Sequence, residues 1–304
     1  MARDFYFDWE VKLIEMLQSG LNPTLVKIVS LITDLGDSLI FVAILTFFYL
    51  SYDKEKGKTI GLNVIVAFYF GSIIKGLVMR CRPYINHESI KCLKAPQEGD
   101  MMNLKIQGYS FPSGHSTNSA VGYGTLAKLM KKKAITIICV ILIFLVGLSR
   151  SILGVHYPTD VMTGWALGTT VVFLIPYIRD KFKNENVFFL ILCILGIPGF
   201  FVLSGNEYYT SYGLLIGLTL ANFFEEKYVK FENTEKILGR ILRPVFAIVI
   251  YAVLAKVLKL PFSKELLESD SILQHIIRVV RYCIIMFTIT GLYPMCFKKV
   301  KFLG

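Results

Sequence analysis

Long apolar stretches, each close to the length of a membrane-spanning helix, recur along most of this 304-residue chain. A helix needs about 20 apolar residues to cross the hydrocarbon core of a bilayer. Only 18% of the residues are charged, against about a quarter in soluble domains. The pattern excludes a soluble enzyme, a disordered chain and a disulfide scaffold, and it predicts an all-α, polytopic integral membrane helical bundle. Nine spans are predicted, at residues 36–52, 58–79, 113–130, 134–153, 159–178, 186–204, 209–224, 240–259 and 271–296.

The spans divide the chain into three predicted parts. Residues 1–35 form an amphipathic segment whose apolar residues recur at helical spacing, and Gly20 and Pro23 break it in two. Such a segment is expected to lie along the membrane interface. Residues 36–204 form a six-span core, and residues 205–304 add about three C-terminal transmembrane helices.

Most of the net charge of +11 is explained by the distribution of basic loops, which indicates the membrane topology. Basic and non-basic loops alternate along the chain, and the positive-inside rule places the basic loops in the cytoplasm. Anionic lipids, and not nucleic acid, are therefore the predicted partners of this charge. Loop 80–111 is the exception, because it carries several lysines and arginines on the predicted outer side. The predicted outer loops are 80–111, 154–158, 205–208 and 260–270.

Three polar groups lie near this outer face, and ionisable residues in membrane spans are functional candidates. In the first group, Lys75 and Arg82 are seven residues apart. That spacing predicts a shared helix face, and Pro83 helps to end the helix. Considered alone, the two cations also fit ordinary snorkelling toward the lipid headgroups.

The second group is the sequence Pro112-Ser113-Gly114-His115-Ser116 at the start of the third span. Free amides at a helix start bind anions, and Gly114 allows a close approach of the backbone to a ligand. His115 can supply a proton. The alternative is a plain helix cap made by Ser113.

The third group runs from Ser149-Arg150 through His156 to Asp160. Asp160 follows Pro158, a residue suited to the first turn of the fifth span. It is near enough in sequence to hold one imidazole nitrogen of His156, which would leave the other as an oriented nucleophile or base. The alternative is an N-cap aspartate beside an unrelated loop histidine.

Taken together, the three groups supply three cations, a helix start, two histidines and one carboxylate on one predicted membrane face. Cations around free amides suit a tetrahedral oxyanion. Two histidines suit phosphoryl transfer, since one attacks and the other protonates the leaving oxygen. No paired carboxylates indicate magnesium, and no Cys/His cluster has zinc spacing. No metal or other cofactor is predicted.

At this point the chain resembles the type 2 phosphatidic acid phosphatase family, within the vanadium haloperoxidase superfamily. The signature K-x6-R-P, P-S-G-H and S-R-x5-H-x3-D is filled in order and spacing, and the resemblance covers residues 36–204. It implies that His156 forms a phosphohistidine, that Asp160 orients His156, and that His115 protonates the leaving group. It also implies metal independence and inhibition by vanadate. The residues implied to hold the phosphoryl oxygens are Lys75, Arg82, Ser113, Gly114 and Arg150.

The predicted function is metal-independent hydrolysis of a lipid phosphate or diphosphate at the extracytoplasmic or lumenal membrane face. The family's substrates include undecaprenyl diphosphate, phosphatidic acid, phosphatidylglycerol phosphate and sphingoid-base phosphates. One alternative is a lipid phosphotransferase that uses the same intermediate. The other is a lipid transporter or scramblase with a relic site, which the intact histidine and aspartate positions disfavour.

Two smaller questions stay open from the sequence. Cys81 and Cys92 share a polar loop and would be able to pair if that loop is extracytoplasmic.

The ninth span also carries polar residues at near-helical spacing. For these residues, snorkelling or pairing with nearby acidic residues is favoured over a second anion contact. These residues are Gln274, His275, Arg278 and Arg281, and the acidic residues are Glu265, Glu268 and Asp270.

Overall fold

The computed structural model describes residues 3–97, 99–203, 205–300 and 303, with the side chain of Lys105 left out. In this part of the chain the regular structure is helical, and the sole β-pairing is an isolated bridge between Arg3 and Arg80. The predicted all-α class is confirmed. The described α-helices are α1 (Asp8–Ser19), α2 (Pro23–Asp34), α3 (Ser38–Phe47), α4 (Lys54–Val78), α5 (Pro83–Asn86), α6 (Leu104–Gln107), α7 (Gly114–Met130), α8 (Lys133–Ile152), α9 (Pro158–Arg179), α10 (Glu185–Val202), α11 (Asn206–Phe224), α12 (Ile237–Val257), α13 (Lys264–Glu268) and α14 (Ile272–Phe287).

Six of the described helices are long and apolar enough to cross a membrane: α4, α8, α9, α10, α12 and α14 with its continuation to Cys296. The bent pair formed by α2 and by α3 with its extension to Tyr52 would make a seventh. The predicted spans 113–130 and 209–224 coincide with α7 and α11. Compared with the six helices above, α7 is shorter and α11 is more polar. The membrane class is thus confirmed, and the count of nine spans stays a prediction.

Two compact units divide the chain. The first comprises Met1–Ile40 and Phe70–Ile175, and the second comprises Phe41–Tyr69 and Pro176–Gly304. Every residue proposed from the sequence to bind phosphate or to act in catalysis belongs to the first unit. The predicted division at residues 35 and 204 stays a prediction.

In the first unit, the N-terminal segment folds as two helices that pack on α8. Gly20 caps α1 and Pro23 opens α2, so the predicted break between them is confirmed. The Asn22 side chain accepts a hydrogen bond from the Leu25 amide at 2.9 Å, which satisfies one of the free amides at the start of α2. Ile14 of α1 enters a buried apolar cluster, and this anchors α1 to the loops beside the site. The other buried members are Tyr84, Ile90, Leu153, Val155 and Tyr157.

Helix α9 approaches α7 closely at two glycines. A Cβ atom added to Gly164 would lie 2.8 Å from the Ser113 carbonyl oxygen, and one added to Gly168 would lie 2.8 Å from that of Thr117. Because such distances are too short for a real side chain, only glycine permits this spacing. The contact fixes the start of α7 beside the first turns of α9.

The second unit is organised around the packing of α11 on α14. In the same unit, Arg243 of α12 is buried. It donates hydrogen bonds to the carbonyl oxygens of Leu303 at 2.7 Å, Leu50 at 2.6 Å and Glu232 at 2.9 Å. Its guanidinium also stacks on the Phe297 ring, 3.9 Å from the ring centroid. Three chain segments are therefore joined through a single side chain.

Candidate active site

The segment after α4 brings Arg82 to the site by a turn and not along a helix. α4 ends at Val78, Met79 has a left-handed φ of 52°, and Arg82 is extended before α5. The prediction that Lys75 and Arg82 share one helix face is therefore wrong. The helix ends between them, and the turn at Met79 redirects the chain.

Arg82 is buried and is held by backbone carbonyls. Its Nε donates to Gly108 at 2.9 Å, its Nη1 to Val155 at 3.0 Å and its Nη2 to Gln107 at 2.6 Å. These bonds fix the guanidinium with Nη1 3.4 Å from Nε2 of His156. The arginine of the first motif and the histidine of the third therefore meet directly.

The start of α7 joins the second motif to the third. Ser113 is its N-cap and accepts from the Ser116 amide at 3.4 Å, and the Ser113 amide donates to the Asp160 carbonyl oxygen at 3.0 Å. The Lys75 ammonium lies 4.0 Å from the point that a Cβ atom on Gly114 would occupy. A lysine therefore faces the bare backbone at the start of α7, where free amides and the helix dipole favour an anion.

His115 lies within electrostatic range of all three predicted cations and of His156. Among those cations, Arg150 is buried and its Nη1 donates to Thr33 Oγ1 at 2.7 Å. The Arg150 Nε has no hydrogen-bond partner within the described residues. An unsatisfied buried donor beside two histidines is suited to an oxyanion.

His156 and Asp160 form the buried centre of this arrangement, with 2% and 0% of their surfaces exposed. The His156 Nδ1 lies 3.5 Å from Oδ2 of Asp160 and 3.4 Å from Oγ of Ser110. The same Oδ2 accepts from the Tyr157 amide at 2.8 Å and from the Ser110 hydroxyl. A proton on Nδ1 faces an acceptor, which leaves the Nε2 lone pair directed toward Arg82.

The environment also fixes the charge state of His156, which lies in the loop between α8 and α9. Burial holds the pKa of His156 well below its usual range, and the positive charges of Arg82, Arg150 and Lys75 lower the pKa further. The imidazole is thus neutral near pH 7. A neutral imidazole has the lone pair that a nucleophile needs.

Sequence reasoning missed three polar contacts of this site. Ser110 bonds to Asp160, Thr33 bonds to Arg150, and Arg80 donates through Nη1 to Oδ1 of Asp160 at 2.6 Å. Arg80 was visible only as a loop charge. Ser110 and Thr33 have no sequence signal, since each reaches the site through tertiary packing.

The polar residues of α14 belong to the second unit, whereas the predicted site residues belong to the first. His275 Nε2 lies 3.0 Å from Oδ1 of Asp270, so the predicted pairing with a nearby acid is confirmed for His275. Arg281 donates to the Ala255 carbonyl oxygen at 3.3 Å, at the end of α12. Within the described residues, neither Arg278 nor Arg281 forms an ion pair with a carboxylate.

The cysteines of the described chain are free thiols, so Cys81 and Cys92 are not joined. Burial raises the pKa of the Cys81 thiol to about 11. Within the described residues, no group of three or more His, Cys, Asp or Glu side chains is arranged to hold a metal ion.

The sequence is similar to several proteins that are named as phosphatases. An undecaprenyl-diphosphatase of Sulfolobus acidocaldarius is 28% identical over 55% of this chain and 76% of its own length. A phosphatidylglycerophosphatase B of Bacillus subtilis is 29% identical over 54% of this chain and 79% of its own. A decaprenylphosphoryl-5-phosphoribose phosphatase of Mycobacterium tuberculosis is 31% identical over 53% of this chain and 86% of its own.

Family comparison agrees with these relatives. Residues 56–184 match the PAP2 superfamily, and residues 209–304 match the PAP2 superfamily phosphatase, transmembrane extension. The fold and the site thus define an integral membrane enzyme of the lipid phosphatase class. The chain belongs to the PAP2 superfamily and carries its transmembrane extension.

Proposed function

We propose that this enzyme hydrolyses a lipid phosphate or diphosphate through a phosphohistidine on His156, without a metal ion, at the extracytoplasmic face. The observation that carries the proposal is the buried His156, with Nδ1 directed to the Asp160 carboxylate and Nε2 to Arg82. That geometry suits a nucleophile that is oriented from one side and offered to a bound anion on the other.

In the first step, the Nε2 lone pair of His156 attacks phosphorus while the bond from phosphorus to the leaving oxygen breaks. The negative charge of the transferring group is stabilised by Lys75, Arg82 and Arg150 and by the amides at the start of α7. The negative charge of the bound substrate favours the protonated form of His115. His115 then donates this proton to the leaving oxygen, so that a lipid alcohol or a lipid monophosphate departs.

In the second step, water attacks the phosphohistidine. His115, now deprotonated, takes a proton from that water, and the bond between phosphorus and Nε2 breaks. Inorganic phosphate leaves and His156 returns to its neutral form. Asp160 stabilises the positive charge that the imidazole carries while it bears the phosphoryl group.

We also propose which side of the membrane the site faces and which substrate should be tested first. The outer location rests on the alternation of basic loops under the positive-inside rule. A polyprenyl diphosphate is the first substrate to test, because two of the three relatives above are named for polyprenyl compounds. Phosphatidic acid, phosphatidylglycerol phosphate and a sphingoid-base phosphate complete the panel.

The test uses purified full-length protein in EDTA and measures inorganic phosphate released from each lipid. We expect release from at least one lipid, inhibition by vanadate, and loss of release in His156→Ala. A matched control is His87→Ala, since His87 lies outside the three motifs. Full activity of His156→Ala would overturn the proposed mechanism.

The same assay separates the alternatives. If a lipid or sugar acceptor is added and the phosphoryl group appears on that acceptor in place of water, the enzyme is a phosphotransferase. If His156→Ala still moves lipid between the leaflets of a vesicle and the wild type releases no phosphate, the protein is a transporter with a relic site.

A further inference from the structure

The carboxylate that faces His156 is the end of a longer buried chain of charges. Arg80 donates through Nη1 to Oδ1 of Asp160 at 2.6 Å and through Nη2 to Oε2 of Glu10 at 2.7 Å. Glu10, Arg80 and Asp160 each have 0% of their surface exposed. Glu10 belongs to α1, seventy residues before Arg80, so the charge chain links the N-terminal helix to the imidazole.

The Arg80 guanidinium, which lies between Asp160 and Glu10, is enclosed on its other sides. Its carbon lies 3.9 Å from the centroid of the Tyr157 ring and 4.7 Å from that of the Phe5 ring. Its Nε donates to the Phe5 carbonyl oxygen at 2.9 Å and its Nη1 to Thr159 Oγ1 at 2.8 Å. The arginine therefore has one fixed position, and so does the carboxylate that it binds.

Glu10 also binds the first turn of α9. Its Oε1 accepts from the Thr159 hydroxyl at 2.6 Å and from the Thr159 amide at 3.1 Å. Asp160 is the next residue in the chain. Glu10 thus holds Asp160 by two routes, through Arg80 at the side chain and through Thr159 at the backbone.

The charges of Asp160, Arg80 and Glu10 explain why the acid Glu10 is needed next to Arg80. Alone, Arg80 would cancel the charge of Asp160 and weaken its attraction for a positively charged imidazole. Glu10 offsets Arg80, so that two carboxylates and one guanidinium leave one net negative charge beside His156. In a buried site such charges interact strongly, and His156 also faces the opposing charges of Arg82, Arg150 and Lys75.

We propose that Glu10 and Arg80 are positioning residues of the phosphatase, through which the N-terminal helix orients Asp160 and stabilises the phosphohistidine on His156. This inference rests on the proposed function. It assigns a catalytic contribution to residues 1–35, which the sequence alone places only as an amphipathic segment. Both side chains are fully buried, and Arg80 binds Asp160 and not His156, so we expect each to act on the rate of the chemical step and not on binding.

The test compares Glu10→Gln, Arg80→Gln and the double variant with wild-type full-length protein, on the lipid that the panel identifies. We expect kcat to fall about 10- to 100-fold in each single variant, with KM changed by less than about threefold. The double variant should lose little more than Arg80→Gln alone, because residues that act as one unit are not additive. Glu15→Gln, on a different face of α1, is the control and should keep full activity.

Partial unfolding would also lower kcat, so the decisive measurement is the single-turnover rate constant with enzyme in excess. At enzyme concentrations that saturate the substrate, that constant does not depend on the fraction of molecules that are folded. A single-turnover constant for Glu10→Gln within twofold of wild type would overturn the inference and leave the proposed function intact. If the wild type released no phosphate from any lipid, both the function and the inference would be overturned.

Discussion

The Nδ1 atom of His156 lies 3.5 Å from Oδ2 of Asp160, and both side chains are buried. The other oxygen of the same carboxylate lies 2.6 Å from Arg80. One oxygen of the aspartate is thus bound by Arg80, and the other faces the imidazole, which it orients in the proposed mechanism. The contact of the first oxygen with Arg80 restricts the orientation of the second.

Asp160→Asn tests the orienting oxygen. The amide keeps the shape of the side chain but loses the charge that stabilises a positive imidazole, and it can present a donor to Nδ1. We expect kcat to fall about 10²- to 10⁴-fold. The surface variant Asp180→Asn serves as the control. Hydrolysis by Asp160→Asn within twofold of wild type would contradict the role given to this residue.

The close approach of α9 to α7 gives a second prediction. In Gly164→Ala, the new Cβ atom would lie 2.8 Å from the Ser113 carbonyl oxygen, so the start of α7 must move. Because small displacements of binding groups are costly to catalysis, we expect kcat/KM to fall at least about tenfold. Gly71→Ala is the matched control in a membrane helix, since its Cβ atom would meet only Leu167 at 3.7 Å. Equal activity of the two variants would contradict the packing argument.

The pH dependence of the reaction follows from the environment of His156. Burial and the charges of Arg82, Arg150 and Lys75 hold its pKa well below 6.5. The imidazole therefore stays neutral and nucleophilic as the pH falls through 6.5, and it is protonated only at a lower pH. Ser110, Asp160 and His115 also face it.

The measurement is kcat/KM against pH for two substrates whose phosphoryl groups titrate at different pH values. As the pH falls through 6.5, we expect no loss of kcat/KM that is common to both substrates. An acid limb centred near 6.5 for both substrates would show that His156 has its ordinary pKa, contrary to the burial described above.

Arg243 provides a prediction about stability in the second unit. Arg243→Met would leave the carbonyl oxygens of Leu50, Glu232 and Leu303 without this donor. The bonds to Leu303 and Leu50 are buried, and each buried group left unsatisfied costs about 1–3 kcal/mol. The thermal unfolding midpoint in detergent should therefore fall by several degrees. Among the described residues, Arg240→Met removes one hydrogen bond, to the Thr234 carbonyl oxygen at 2.8 Å, and it should lower the midpoint less. Equal midpoints for the two variants would refute the joining role of Arg243.

Much of the site could be predicted from the sequence because its groups lie in three short motifs at ends of helices. The contact of His156 with Asp160 joins the loop before α9 to the first turn of that helix, and the two residues are only four apart, so local geometry determines it. The break at Gly20 and Pro23 was predictable for the same reason, since capping and proline chemistry are local. Membrane spans were readable because lipid demands long apolar helices.

What could not be predicted depends on residues distant in sequence. Glu10 lies near Arg80 because the segment before α1 pairs through the Arg3 backbone with Met79 and Cys81. An acid in an amphipathic segment gives no sign of being buried. The prediction that Lys75 and Arg82 share one helix face was wrong because residue spacing does not reveal a left-handed residue. Met79 is such a residue, and it ends the helix before Arg82. Ser110 and Thr33 became visible only through the bonds that they make.

The central claim is that the phosphoryl group passes through His156. The most direct measurement uses a lipid labelled with ³²P at the transferred phosphorus, with the reaction stopped by base within one turnover. We predict a base-stable, acid-labile label on the protein, located at His156 by peptide mass spectrometry and lost in His156→Ala. A label on another residue, or single-turnover hydrolysis with no labelled protein under these conditions, would contradict the account.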